Sequence, residues 1–189
     1  METKESKNAD SFILAQFQAL MSHIDNLISS STMRMYSVLL IWAFSISAIS
    51  IILMSNLTSP ENKKLLYIFI GLFLFFIGIY LYLRQITSSI KVVYYYRILN
   101  RVRNSYAENS SEIKKVLEGL PFSDSEPKNI LDVFDPGIFL IPVLNAVALT
   151  FSFFACFKKI FWTLILFVFI LVLQFLIWKI KENKKLGKN

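Results

Sequence analysis

Residues 65–103 read LLYIFIGLFLFFIGIYLYLRQITSSIKVVYYYRILNRVR, and this stretch decides the architecture of the chain. Its first nineteen residues, 65–83, are uncharged and mostly apolar, which is enough for a helix to cross a bilayer. The remainder is basic and rich in tyrosine, and no proline interrupts it, so one helix can continue from the membrane into water. A helix over residues 60–106 would be about 70 Å long, whereas the hydrocarbon core is about 30 Å thick.

The composition of the whole chain agrees with a membrane protein. Hydrophobic residues make up 55% of it and phenylalanine alone occurs 18 times, which is more apolar surface than a soluble domain of this size could cover. Three further apolar runs lie at residues 36–55, 137–157 and 160–178. We therefore expect an all-α integral membrane protein with four transmembrane helices and a helical cytoplasmic layer.

The chain divides into six segments on this basis. They are a disordered tail (residues 1–10), an amphipathic helix and linker (11–35), a first transmembrane hairpin (36–83), a helical loop (84–136), a second transmembrane hairpin (137–178) and a basic tail (179–189).

The amphipathic helix is predicted from the spacing of its apolar residues. Ile13, Phe17, Leu20, Ile24 and Leu27 fall on one helical face. A helix lying on a lipid surface normally carries Lys or Arg on its polar face, and this one has none. The pattern favours packing against a partner helix, with the lipid surface as the alternative.

Short polar signals set the ends of the spans. Ser59-Pro60 and Asp135-Pro136 each place a capping residue before a first-turn proline, so helices should begin there. Only Lys158 and Lys159 separate the third and fourth spans, which predicts a tight hairpin. A short helix is expected over residues 112–118, before the turn signal at Gly119.

The distribution of positive charge predicts the orientation. Sixteen of the 20 Lys and Arg residues lie in the N-terminal segment, the central loop and the C-terminal tail, and four lie on the opposite side. Positively charged loops stay in the cytoplasm. We expect both termini and the central loop to be cytoplasmic, in a cell (inner) membrane.

Small and polar residues mark helix faces where neighbouring helices could approach closely. On the third span these residues are Asn145, Ala148 and Ser152, on the second Gly71 and Gly78, and on the first Ala43, Ser47 and Ser50. Gln174 on the fourth span should lie at the depth of Asn145, because the two are almost equally far from the Lys158-Lys159 turn. Asn145 is open to two interpretations, a hydrogen bond that holds helices together or a position lining a pore.

Five basic residues cluster after the second span. They are Arg84, Lys91, Arg97, Arg101 and Arg103. We expect them to contact anionic lipid of the inner leaflet or to pair within the protein. A specific anionic ligand is the less favoured alternative, because no glycine-rich phosphate loop accompanies them.

Several function classes lack the residues they need. Cys156 is the only cysteine and His23 the only histidine, so neither a disulfide nor a His- or Cys-based metal site is expected. No Asp, Glu, Lys, Arg or His lies within the four predicted spans, which argues against ion-coupled carriers and against an enzyme active site in the membrane. We expect no enzyme activity and no cofactor, and we attribute the net charge of +7 to the inner loops rather than to nucleic-acid binding.

Two functions fit these observations. The first is a homo-oligomeric pore, channel or membrane-perturbing effector controlled by its cytoplasmic helices. The second is a non-conducting membrane anchor or accessory subunit that recruits a cytoplasmic protein. Polar stripe residues facing a central axis would favour the first. The same residues buried between helices of one subunit, with an exposed apolar cytoplasmic groove, would favour the second.

Overall fold

The computed structural model describes residues 4–54, 59–107, 126–133 and 135–187. These residues form four long α-helices and one short 3-10 helix, with no strand among them. The elements are α1 (Lys4–Met54), α2 (Pro60–Ala107), the 3-10 helix (Ile130–Val133), α3 (Gly137–Phe157) and α4 (Ile160–Leu186). All four α-helices are long and apolar enough to cross a membrane. The chain is therefore all-helical, and its four helices indicate a multi-pass membrane protein.

The second helix begins and continues as its sequence predicts. The backbone N–H of Asn62 donates to Ser59 Oγ at 3.3 Å, and that of Lys63 donates to the Ser59 carbonyl at 3.0 Å. Ser59 thus caps the helix. Pro60 lies at the first helical position, where a backbone N–H would have no acceptor within the helix, so the missing N–H of proline costs no hydrogen bond. From there α2 runs without interruption to Ala107, so the span and its basic extension are one helix.

The first helix differs from its prediction at two places. It begins at Lys4 rather than at residue 11, so it includes most of the segment expected to be disordered. It also continues through residues 31–35, where a linker was expected. That stretch contains neither proline nor glycine, so nothing in it breaks a helix. Ser31 hydrogen-bonds to Asp135 and Arg34 to Gln85, and these contacts hold the stretch in place.

The fourth helix also exceeds its prediction. It was expected to end at Trp178 and to be followed by a frayed tail, but it continues to Leu186. Trp178, Glu182 and Leu186 are buried and lie four residues apart, so one face of the extension packs against the protein. The short helix predicted over residues 112–118 lies outside the described residues.

Helices α1 and α2 form a long antiparallel hairpin. In the part formed by the candidate spans, Val38 and Trp42 of α1 pack in the same cluster as Leu81 of α2. Beyond it, Ile24 is buried with Val92, Tyr96 and Leu99 of α2, and Phe17, Leu20, Met21 and Leu27 pack against this cluster. We name residues 15–33 of α1 together with residues 85–104 of α2 the stalk. The amphipathic face of α1 therefore packs on a helix of its own chain, as its pattern favoured.

Helix α2 is the centre of the structure, because it contacts α1, α3, α4 and the 3-10 helix. At the base of the stalk, Ile86 packs with Ile138 and Ile141 of α3 and with Trp178 of α4. The outward faces of the candidate spans are apolar and uncovered; Phe44 is 75% exposed and Phe69 is 68% exposed. Side chains of this kind are covered by lipid in a membrane protein.

The connection between α3 and α4 consists of Lys158 and Lys159 alone, which confirms the tight hairpin. Lys158 adopts a left-handed conformation with φ 51°, and its N–H donates to the Phe154 carbonyl at 2.8 Å. This is the conformation that usually selects glycine after a helix, because a Cβ atom is crowded there. Lys159 is extended and carries no such strain.

We predict that Lys158→Gly stabilises the protein by about 1 kcal/mol, because it removes the crowding of Cβ in the left-handed region. The free energy of unfolding in detergent micelles, followed by circular dichroism, measures this effect. Lys159→Gly removes the same charge without relieving strain, and it should give no gain. An equal gain from both substitutions would show that charge, rather than backbone conformation, is responsible.

Candidate functional site

A cluster of polar side chains joins α1, α2 and the start of α3 at the base of the stalk. Its centre is the carboxylate of Asp135. Gln85 Nε2 donates to the two carboxylate oxygens at 2.7 and 2.8 Å, and Ser31 Oγ lies 3.3 Å from each. Ser89 Oγ also donates to the carboxylate, as does the backbone N–H of Gly137 at 3.0 Å. We name these residues, with Arg34 and Ser88, the Asp135 cluster.

Local structure explains how Asp135 reaches this position. Asp135 precedes Pro136 at the start of α3, and its carbonyl accepts the N–H of Ile138 at 3.1 Å. The carboxylate therefore serves the first turn of α3, as the sequence predicts, and also faces α2. Gln85 and Ser89 are one turn apart on α2, so both meet it from the same face.

Arg34 extends the cluster along α1. Its Nε donates to Gln85 Oε1 at 3.0 Å, while Nη2 donates to Ser88 Oγ at 2.7 Å and Nη1 to Ser30 Oγ at 2.7 Å. The amide of Gln85 thus receives a hydrogen bond from Arg34 and donates to Asp135. This arrangement links a cation and an anion that do not touch, and it holds three helices in one register.

The Asp135 cluster also marks a common level of the helices. On the side of the stalk, the first charged residue outside each apolar run is Arg34 for α1, Arg84 for α2 and Lys179 for α4. Asp135 lies immediately before α3. Contacts through Gln85 place Arg34 and Asp135 at the same height on α2. We name this height the boundary level, because apolar helix surface lies on one side of it and the stalk on the other.

A second polar cluster lies within the apolar part. Asn145 Nδ2 donates to Gln174 Oε1 at 3.0 Å, so the two amides whose depths were expected to match are in contact. Gln174 Nε2 donates in turn to the Pro142 carbonyl at 3.3 Å, and the Tyr82 hydroxyl donates to the Gln174 carbonyl at 3.1 Å. Asn145 is 0% exposed and Gln174 1% exposed, so this cluster lies between helices of a single chain.

The glycines of α2 make room for the polar stripe of α3. A Cβ atom built on Gly78 would lie 1.5 Å from Asn145 Oδ1, and one built on Gly71 would lie 1.5 Å from Ser152 Oγ. Ser152 Oγ donates to the Tyr67 carbonyl of α2 at 3.0 Å. Ala148 is buried in the same interface. The close-contact strips predicted on the second and third spans therefore face each other.

The small residues of α1 have a different environment. Ala43 and Ser47 are exposed, and Ser50 is only partly covered. Ser47 Oγ donates to the Ala43 carbonyl at 2.9 Å, and Ser50 Oγ donates to the Ile46 carbonyl at 2.9 Å, both within the helix. No helix packs closely against Ala43 and Ser47 within the described part of the chain, so their role in a contact between chains stays a prediction.

The five basic residues predicted as one cluster separate into two groups. Arg97 donates to the carbonyls of Pro127 and Lys128 at 2.9 and 2.7 Å, and Arg103 is buried. Arg84, Lys91 and Arg101 are exposed, and Arg101 Nε lies 3.9 Å from Glu126. Arg97 therefore pairs within the protein, whereas Arg84 and Lys91 face outward.

Sequence reasoning missed the Asp135 cluster as a site, and it missed Glu182. The Glu182 carboxylate is buried, accepting the Ile130 N–H at 2.7 Å and the Lys179 ammonium at 2.9 Å. The available signal was the group of polar residues Gln85, Thr87, Ser88 and Ser89 just after the second span. Among the residues that the structure describes, no three His, Cys, Asp or Glu side chains are grouped as a metal site would require.

We predict that Asp135→Ala lowers the free energy of unfolding by about 2 kcal/mol, because Gln85, Ser89 and the Gly137 N–H lose a charged acceptor. Unfolding in mixed detergent micelles measures this loss. Asp25→Ala removes an exposed carboxylate from the stalk and should change stability by less than about 0.5 kcal/mol. Equal effects of the two substitutions would contradict a structural role for the Asp135 cluster.

We predict that Gly78→Ala destabilises the protein by about 2 kcal/mol, because the added methyl group overlaps Asn145 and the helices must separate. Asn145→Leu should cost about 1 kcal/mol through the lost interhelical hydrogen bond. The same unfolding assay applies to both. Ala48→Val adds two carbons, one more than Gly78→Ala, at an exposed position of α1 and serves as the control. A loss as large as that of Gly78→Ala would refute the packing argument.

Comparison with known proteins adds nothing to this geometry. No protein-family model, no curated protein and no solved structure matches the chain.

Proposed function

We propose that this chain is a non-conducting membrane anchor or accessory subunit whose stalk recruits a cytoplasmic protein. One observation carries the proposal. The polar side chains of the candidate spans, Asn145, Ser152 and Gln174, are buried between helices of one chain rather than directed toward an outer face. This burial is one of the two features for which the sequence analysis favoured an anchor. The other was an exposed apolar groove on the cytoplasmic side, and the exposed face of α1 is polar instead, so burial of these residues alone supports the proposal.

A water path needs polar groups along its wall. In this chain the amides of Asn145 and Gln174 bond to each other, and the Ser152 hydroxyl bonds to α2. Outward-facing residues such as Phe44, Phe69 and Phe161 are large and apolar. Such side chains suit contact with lipid, and the polar groups suit helix association within the bilayer.

The stalk supplies a surface for a partner. It extends about 30 Å from Arg34 to Ala15 at 1.5 Å per residue. The face of α1 opposite α2 is polar and uncovered, with Gln18, Ser22, Asp25 and Asn26 exposed. The excess of Lys and Arg on this side of the spans favours a cytoplasmic location. Through the Asp135 cluster the stalk is joined to α3, which would keep a bound partner at a fixed orientation to the membrane.

The proposal includes no catalytic step. The Asp135 carboxylate is already occupied by donors from Gln85, Ser89 and Gly137. The ring of His23, the only histidine, stacks edge-on against Tyr95 at 4.8 Å between centroids, on the surface of the stalk. The hydroxyls that donate to Asp135, those of Ser31 and Ser89, join helices to one another, and His23 packs against an aromatic ring. The proposal assigns neither residue a role as an acid or base.

A second candidate is the homo-oligomeric pore, and it is favoured by the uncovered Ala43 and Ser47 on α1. These small residues could bring α1 helices of several copies together around an axis. The path would then be lined by α1 and not by the Asn145 stripe. This distinction makes the two candidates separable by mutation.

We predict that cells expressing the chain keep their membrane potential, as reported by a voltage-sensitive dye, because the proposed anchor has no water path. Asn145→Leu and Ser47→Leu variants, matched to the wild type for membrane abundance, should give the same reading. Depolarisation by the wild type that Ser47→Leu abolishes would establish the pore instead.

The recruiting role is tested by a photocrosslinking amino acid placed at single positions. At Asn26, which is exposed on the stalk, it should yield one discrete protein adduct. At Ile51, which is exposed on the apolar part of α1, it should yield lipid adducts only. Absence of a protein adduct from Asn26 and from its exposed neighbours on the stalk would contradict recruitment.

A further inference from the structure

One exposed face of α2 crosses the boundary level without a break. It begins in the apolar part as an aromatic ridge and becomes basic as it enters the stalk. In chain order its residues are Phe69, Phe73, Phe76, Tyr80, Arg84, Thr87, Lys91 and Tyr94, spaced three or four apart and all exposed. A surface that changes from apolar through tyrosine to cationic over one helix face matches the profile of a membrane leaflet from its interior to its headgroups.

Arg84 and Lys91 are the cations on this face. Arg84 Nη1 donates to the Tyr80 hydroxyl at 3.4 Å, and neither Arg84 nor Lys91 has a carboxylate partner in the described part of the chain. Arg97, which follows them on α2, is engaged by the Pro127 and Lys128 carbonyls. The outward positive charge near the boundary level therefore comes from Arg84 and Lys91.

The surroundings of Arg84 favour an anion. Burial is the main cause that lowers the pKa of Arg34, the positive charge of Arg84 is the second, and the Asp135 carboxylate acts in the opposite direction. That carboxylate is already occupied by the side chains of Gln85 and Ser89. A negative group beside Arg84 would offset the repulsion between Arg84 and Arg34, and a guanidinium binds a phosphate through two parallel hydrogen bonds.

Height along α2 decides which anion fits. Lys91 lies about 10 Å beyond Arg84 along the helix axis, and the headgroup layer of one leaflet is about 5–8 Å thick, so the flexible lysine can reach it from above. Arg101 lies about 25 Å beyond Arg84, hence about 17–20 Å above the headgroup layer, which is about two Debye lengths at physiological salt. An anion held by Arg84 and Lys91 together is therefore one located at the membrane surface.

We infer that α2 carries a binding site for an anionic glycerophospholipid of the adjoining leaflet. The phosphate is held by Arg84 with Lys91 above it, Tyr80 lies at the glycerol level, and an acyl chain lies along Phe73 and Phe76. The site concerns the membrane alone and does not depend on whether the stalk recruits a protein.

Native mass spectrometry of the full chain released from detergent tests this site. Phosphatidylglycerol or phosphatidylcholine is added in series, and the bound fraction gives a dissociation constant for each lipid. We expect tighter binding of phosphatidylglycerol, and a loss of about fivefold in its affinity from either Arg84→Gln or Lys91→Gln, since one cation near an anionic surface has about this effect. Arg101→Gln removes the same charge higher on the stalk and should change the affinity by less than about twofold.

Three results would overturn the inference. Equal binding of the two lipids by the wild type would remove the role of the anionic headgroup. A loss from Arg101→Gln as large as that from Arg84→Gln would indicate general attraction, or an acidic protein as the natural occupant of the stalk. Equal affinity for soluble glycerol phosphate would show that the ridge of Phe73 and Phe76 contributes nothing. Circular dichroism of each variant confirms that the exposed substitutions leave the fold intact.

Discussion

The side-chain amide of Gln85 stands between a guanidinium and a carboxylate, accepting from Arg34 and donating to Asp135. Each of these charges would be costly at the edge of an apolar region if it lacked a partner. Through Gln85 both are satisfied, and α1, α2 and α3 are fixed at one height. The stalk and the apolar bundle consequently form a single body, since α1 and α2 pass this level as continuous helices.

The regular parts of this fold were accessible from sequence because their signals are local. Ser59 and Pro60 fix the start of α2, Lys158 and Lys159 the turn between α3 and α4, and hydropathy fixes the spans. The contact between Asn145 and Gln174 could also be predicted, because the turn between α3 and α4 has only two residues and the depth of each amide can be counted from that turn. The packing of Gly71 and Gly78 against the polar stripe of α3 could be predicted for a different reason, because small residues lie where two helix backbones approach closely.

The Asp135 cluster was not accessible in this way. Its members are separated by 50 positions between Gln85 and Asp135 and by 104 between Ser31 and Asp135, and no periodicity relates them. Capping the start of α3 already explains an aspartate at this position, so the sequence did not indicate that Asp135 also contacts α2. The helical linker of α1 at residues 31–35 and the extension of α4 were missed for a related reason. Both are held by tertiary contacts, those of Ser31 and Arg34 with α2 and that of Glu182 with Ile130, which outweigh weak local propensity.

Polarity is arranged oppositely on the two sides of the boundary level. In the apolar bundle the polar groups of Asn145 and Gln174 turn inward, because lipid offers them no hydrogen bond. In the stalk the apolar residues Ile24 and Leu99 turn inward, while Lys91 turns outward. Adjacent residues of α2 mark the change, with Gln85 directed to Asp135 and Arg84 directed away from the protein. A helix that inverts its pattern within one turn favours a fixed depth, since sliding inward by one turn, about 5.4 Å, would carry Arg84 toward the hydrocarbon, and sliding outward would lift Tyr80 to the level that Arg84 now occupies.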